Sequence, residues 1–235
     1  MDTFLLRQSS IHLWQAFFPD LIGHFDYCCS LLNEEEIARA KRFHFDEHRH
    51  RFVIARALLR MMLSQYTQVP LAEISFSYHP QGKPYLTDNP LDLQFNLSHS
   101  HDMAVYAFTL HNEVGVDIEK IQTRFDDRLA KRFFSHDEYE ALSKLSEKEK
   151  MIAFYHLWAG KEAVIKALGE GLKVSLASFS VAINKKNQII DLYYQQKKHR
   201  YYLEYFVADE DYASAFSTTQ PITNIEHRLW TVKNF

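Results

Sequence analysis

Cysteine, glycine and proline are all scarce in this chain, at two, six and six of 235 residues. Few glycines and prolines leave little material for long turns, so short loops are expected. No flexible linker or low-complexity tract stands out. The two cysteines are neighbours, Cys28 and Cys29, a placement that rarely suits a structural disulfide. No CxxC spacing is available for zinc or redox work. No apolar run approaches the roughly 20 residues of a membrane span. The opening MDTFLLRQSS lacks the charged segment and apolar run of a secretory leader. An excess of positive charge is also missing: the formal net charge is -3, which argues against general nucleic-acid binding. A soluble, cytoplasmic protein with neither membrane nor nucleic acid as partner is the expectation.

What is present is a core. Hydrophobic residues make up 46% and aromatics 14%, enough for one large domain or two small ones. A short strand is expected at 11–16. Asn33 before Glu34, Glu35 and Glu36 reads as a helix N-cap with acids in the first turn. From there to about Tyr66 apolar residues recur with helical spacing, with a break near Asp46. The period then changes to two, giving strands at 74–78, 95–100 and 103–110, with a turn at H79-P-Q-G-K-P84. Residues 114–119 read as a further strand, expected to form a hairpin with 103–110. Residues 125–134 read as a helix. Ser135 with Glu138, and Ser146 with Glu149, are capping boxes for two more, the second reaching Leu168 and stopped by Gly169. Strands are then expected at 179–183, 189–194, 201–207 and 212–217. This order gives an α+β fold of two α/β halves packed together.

Some spacings also suit chemistry. Alternation along 114–119 puts Asp117 and Glu119 on one face. Acids are depleted in strands, so this is either a solvent-facing side or a site for a hard cation such as Mg²⁺. On the helix ending at Leu168, Trp158, Glu162 and Lys166 lie in one row, with Lys161 beside it. A Glu–Lys pair at that spacing is also ordinary surface decoration. Gly160 costs roughly 1 kcal/mol in mid-helix, which close approach of another backbone or a ligand would justify. Arg39, Lys41, Arg42, Arg49, Arg51, Arg56 and Arg60 form either a solvated basic face or a phosphate site. Ser98 and His99 at a strand end suit a phosphate. The His99–His101 pair lacks the further ligands a metal needs. Lys83 reads equally as an exposed turn lysine.

Taken in order, G115-V-D-I-E119, R132-F-F-S135 with E138-Y-x-x-L142, and W158-x-x-K-E-x-x-x-K166 resemble the signature of the 4′-phosphopantetheinyl transferases. The match is to the larger, surfactin-synthetase-activating type with two pseudo-repeated halves. R42-F, R51, G82-K-P84 and F95-N-x-S-H-S100 also sit where that family has them. The resemblance covers roughly residues 33–183 and implies a pseudo-dimer within one chain, here divided into 1–110 and 111–235. It implies transfer of 4′-phosphopantetheine from coenzyme A to a serine of an apo acyl or peptidyl carrier protein by a monomer. Asp117, Glu119 and Glu162 would hold Mg²⁺, and Lys166 with Lys161 would contact phosphates. Glu138 would receive the serine proton. Arg51, Gly82, Lys83, Ser98 and His99 would bind the nucleotide end. The acids at 34–36, where relatives often carry a lysine, and Ala159, usually a small hydroxyl residue, depart from the pattern. The basic stretch 39–60 is expected to attract an acidic carrier. Two other readings use the same residues: a Mg²⁺-dependent phosphodiesterase or nuclease, and a non-catalytic coenzyme A-binding module.

Overall fold

The computed structural model describes residues 4–124, 126–183 and 185–235. Strand β1 (Ser10–Phe17) leads through two short helices, α1 (Phe18–Leu21) and α2 (Phe25–Ser30), to α3 (Glu34–Ala40) and the long α4 (Asp46–Thr67). Asn33 caps α3 with a complete capping box to Glu36, as its sequence implies. The small strands β2 (Phe76–Tyr78) and β3 (Pro84–Leu86) form a hairpin; β4 (Leu93–Ser100) and β5 (Met103–Leu110) follow. Next come β6 (Val114–Lys120), α5 (Asp127–Phe133), α6 (His136–Ser143) and α7 (Glu147–Leu168). Strands β7 (Asn187–Tyr194), β8 (Lys197–Phe206), β9 (Tyr212–Thr218) and β10 (Asn224–Trp230) complete the chain.

Two four-stranded sheets result, ordered β10-β1-β5-β4 and β6-β9-β8-β7. Strict alternation along the strands gives each sheet two apolar faces. On β5, Ala104, Tyr106 and Phe108 join α4 in one core, while Met103, Val105 and Ala107 join Val114, Val116, Ile118 and Phe216 in another. A third cluster packs α7 on the remaining face of the second sheet. The molecule is therefore layered helix, sheet, sheet, helix. This is the expected α+β arrangement of two halves.

Several sequence expectations are corrected. Strands 103–110 and 114–119 are not a hairpin: β5 pairs with β4 and β1, whereas β6 pairs with β9 in the other sheet. The turn between them instead passes the chain from one half to the other. Asn112 anchors it, its Oδ1 accepting from the backbone N–H groups of Thr219 and Gln220. The actual hairpin joins β4 to β5 through His101, which adopts a left-handed φ of 51°. The unanticipated β10 pairs in parallel with β1 and buries Trp230 in the first core. A clean division at 110/111 therefore leaves the last strand with the first half. Residues 179–183 form no strand: Phe179 and Val181 are buried, but Val181 N–H donates to Glu138 rather than to a neighbouring strand. The helix expected at 125–134 is observed as α5, and Phe125 lies outside the described residues. Within 39–60, Arg56 and Arg60 are buried and paired with Glu36, so the basic stretch is not one solvated face.

Candidate active site

Strand β6 turns Val114, Val116 and Ile118 into the core between the sheets. Gly115, Asp117 and Glu119 consequently face the other way, towards α7. Gly115 decides how close that helix comes. A Cβ there would lie 2.1 Å from the Ala163 carbonyl oxygen and 2.3 Å from the Ala167 nitrogen. Any side chain would hold α7 away. With the helix seated on bare backbone, Lys166 reaches Asp117.

The contacts are short and largely buried. Lys166 Nζ donates to Asp117 Oδ1 at 2.6 Å and to Ser98 Oγ at 2.8 Å. Ser98 Oγ in turn donates to Asp117 Oδ1 at 2.8 Å. Asp117 is only 3% exposed, and its second oxygen, Oδ2, is buried with no hydrogen-bond partner. Ser100 Oγ donates to Glu119 Oε2 at 3.1 Å. Burial first, and then the Asp117 charge, push the Glu119 carboxyl up to about 7, with Glu162 adding to the rise. Burial and Asp117 likewise raise Glu162, against the opposing charge of Lys166. Three carboxylates thus feel the charge of one ammonium group, which hydrogen-bonds to Asp117 among them.

Among the described residues, no three histidine, cysteine, aspartate or glutamate side chains converge into a ready-made metal shell. The donor chemistry nevertheless fits a hard cation. A buried carboxylate oxygen is left without a partner, and neighbouring acids are destabilised by one another's charge.

Near this cluster, the His99 residue is partly exposed at the end of β4. Desolvation, followed by the nearby cations Lys166, Arg51 and His48, holds its pKa below the ordinary histidine range. Arg51, on α4, pairs with Glu47 and Asp102. On the other side, Gly82 takes a left-handed φ of 86° in the turn before β3. Lys83 is drawn inward there, donating to Glu113 Oε2, the Val114 carbonyl and the Ala167 carbonyl at the end of α7. Lys83 is therefore not a simple exposed turn lysine. A cavity of about 270 Å³ lies between this turn and the cluster, walled by Lys83, Asn96, Glu162 and Lys166. Three larger cavities, two of about 410 Å³ and one of about 380 Å³, contain none of the three clustered carboxylates.

Two expected residues lie elsewhere. Lys161 is fully buried, its Nζ 2.8 Å from Glu138 Oε1 and donating to the carbonyls of Leu176 and Phe179. One residue from Glu162 is about 100° around a helix, so Lys161 points into the third cluster, beside Leu176 and Phe179. Glu138 is 2% exposed, its oxygens accepting from the N–H groups of Ser135 and Val181. In this arrangement Glu138 and Lys161 hold α6, α7 and the segment after α7 together and do not face the acid cluster. Gly160 faces side chains and not another backbone; a Cβ there would meet the Tyr205 hydroxyl at 2.3 Å. His101 contacts Ser100 and Gln122. Asn96 and Ser100 belong to the expected F95-N-x-S-H-S100 pattern, but no role was expected for either, nor a packing role for Gly115. The period of two in N96-L-S-H-S100 could have placed the first two beside Ser98.

A strand-borne and helix-borne acid cluster around a lysine, with an arginine and a histidine near it, has the charge chemistry that phosphoryl groups call for. Comparison with known proteins sharpens this. The model of the 4′-phosphopantetheinyl transferase superfamily matches residues 113–217, and that of a 4′-phosphopantetheinyl transferase N-terminal region matches 19–111. The 4′-phosphopantetheinyl transferase HetI of Nostoc sp. is 38% identical over 170 residues, covering 71% of this chain and 72% of its own. Sfp of Bacillus subtilis is 35% identical over 193 residues, covering 82% and 84% respectively. A holo-[acyl-carrier-protein] synthase chain from Thermotoga maritima overlaps 45% of this chain and 61% of its own. Its identity is 20% and its TM-score 0.31, too loose a match to carry argument. The chain belongs to the 4′-phosphopantetheinyl transferase superfamily and is an Sfp-like enzyme of that family.

Proposed function

We propose that this transferase moves 4′-phosphopantetheine from coenzyme A to a serine of an apo acyl or peptidyl carrier protein, with Mg²⁺ as the metal. The unpartnered, buried Asp117 Oδ2 beside Glu119 and Glu162 is the observation that carries this reading. Asp117, Glu119 and Glu162 would hold the cation. When bound, it supplies positive charge against the pyrophosphate as its bridging bond breaks.

The chain's own residues do the rest. Arg51 and His99 bind the nucleotide end, and the cationic surroundings of His99 favour an anion such as the 3′-phosphate. Ser98 orients the Lys166 ammonium, which neutralises the diphosphate. The Gly82–Lys83 turn closes the cavity beside them. The carrier serine Oγ forms the new bond to the β-phosphorus. The bond from that phosphorus to the bridging oxygen breaks, its electron pair leaving with adenosine 3′,5′-bisphosphate. The serine proton passes to a carboxylate oxygen of Glu162, which is partly buried and lines the cavity; Glu138 is already fully engaged. Because both halves lie in one chain, a cytoplasmic monomer is the working form in this reading.

The test is to mix the protein with an apo carrier, coenzyme A and Mg²⁺ and weigh the carrier. A gain of one phosphopantetheine that EDTA abolishes supports the proposal. No gain across fatty-acid, polyketide and peptide-synthetase carriers would overturn it, as would a gain unaffected by EDTA for the metal. Release of phosphate from simple phosphodiesters without a carrier would favour a hydrolase instead.

A further inference from the structure

We propose that Asn96 is a positioning residue for the transfer reaction, acting through the backbone of β6. Strands β4 and β6 lie side by side where the halves meet, yet they belong to different sheets and share no backbone ladder among the described residues. Side chains from every second residue of β4 bridge the gap. Asn96 Oδ1 accepts the Val116 N–H at 2.9 Å, and Ser100 Oγ accepts the Lys120 N–H at 3.1 Å. Ser98 sits between them on Asp117 itself. The two backbone anchors therefore fall immediately before Asp117 and immediately after Glu119.

Both ends of the first anchor are buried: Asn96 is 7% exposed and Val116 0%. Without the Asn96 oxygen, the buried Val116 N–H loses its acceptor, and an unmet buried donor drives local rearrangement. The strand segment free to move carries the Asp117 carboxylate, whose oxygen lies 2.6 Å from Lys166. Glycine at 115 gives α7 no side chain against which to re-register. Asn96 does not pair with either charge; it fixes where one half presents its acids to the other.

This rests on the transferase reading, and the test separates the two. Wild-type protein without transfer activity would sink that reading; the inference stands or falls on the variants against wild type. Asn96→Leu keeps similar volume and removes the acceptor. At saturating coenzyme A its kcat is expected to fall roughly 30-fold or more, with KM for coenzyme A changed less than about threefold. Hydrogen exchange at the Val116 amide is expected to accelerate. Asn96→Gln keeps an uncharged amide acceptor and is expected to return Val116 protection and part of kcat. Should Asn96→Leu not fold, Asn96→Ser, too short to reach Val116, is expected to show the same split. Wild-type kcat in the Leu or Ser variant would overturn the inference. So would a Gln variant with Val116 protected but kcat as low as in the Leu variant.

Discussion

Gly115→Ala tests whether the site depends on the approach of α7 to β6. The new Cβ would stand 2.1 Å from the Ala163 carbonyl oxygen, and both neighbours are helix backbone that no rotamer change can move. To relax that contact to 3.4 Å, α7 must retreat by about 1.3 Å. Overpacking of this kind costs about 1–3 kcal/mol, measurable as a lower urea midpoint at unchanged slope. The same retreat would take Lys166 Nζ, now 2.6 Å from Asp117 Oδ1, beyond hydrogen-bonding range. A misplacement near 1 Å costs on the order of 10²-fold in rate, read as phosphopantetheine incorporated per unit time at saturating substrates. Gly160→Ala is the control. There the clash is with the far end of the Tyr205 side chain, and alanine recovers roughly 1 kcal/mol of helix propensity. It is expected to be milder on both measures. If Gly115→Ala matched wild type within about 0.5 kcal/mol and threefold in kcat, close backbone approach would not be what assembles the site.

Three other outcomes are expected. Glu162→Gln should lower transfer by ~10²–10⁴-fold with an unchanged urea midpoint; a variant near wild-type rate would remove Glu162 from the chemistry. Lys161→Met leaves the Glu138 charge buried and unpaired. It should cost about 3–5 kcal/mol, partly recovered by adding Glu138→Gln, and wild-type stability in the single variant would contradict a structural pair. His12 is fully buried against Tyr66, and burial, then Arg228, lowers its pKa from 6.5 to about 4. The folded state resists protonation, so the stabilisation is complete above pH 6.5 and is lost as pH falls towards 4. The loss reaches roughly 3 kcal/mol. Urea titrations from pH 7 to 4 should therefore fall more steeply for wild type than for His12→Gln, and parallel curves would refute this.

Local signals carried much of the secondary structure. The capping boxes at Ser135 and Ser146 and the αL stop at Gly169 lie where their residues imply. These devices act within one turn, so a short window suffices to read them. The partner of a strand is not a local property. The short turn after β5 resembles a hairpin connection, but Asn112 ties it to Thr219 and Gln220, over a hundred residues away. Strand β10 escaped notice because its alternation is weak and its partner lies at the other end of the chain.

For the site, the period of two put Asp117 and Glu119 on one face, and the helical period put Glu162 and Lys166 on one row. Their ordered motifs were enough to suggest the family. Sequence could not tell whether those faces met water or each other. Tertiary packing answered that, through a bare glycine on β6 that admits α7 to backbone contact. It also separated neighbours: Glu162 lies at the cleft, while Lys161, about 100° round the helix, is sealed in the core with Glu138. Residue spacing fixes direction relative to the local axis. Only the closing of one element on another fixes what lies in that direction, and here it joined one acid to a lysine from a distant helix and left an oxygen of that acid buried and unpartnered.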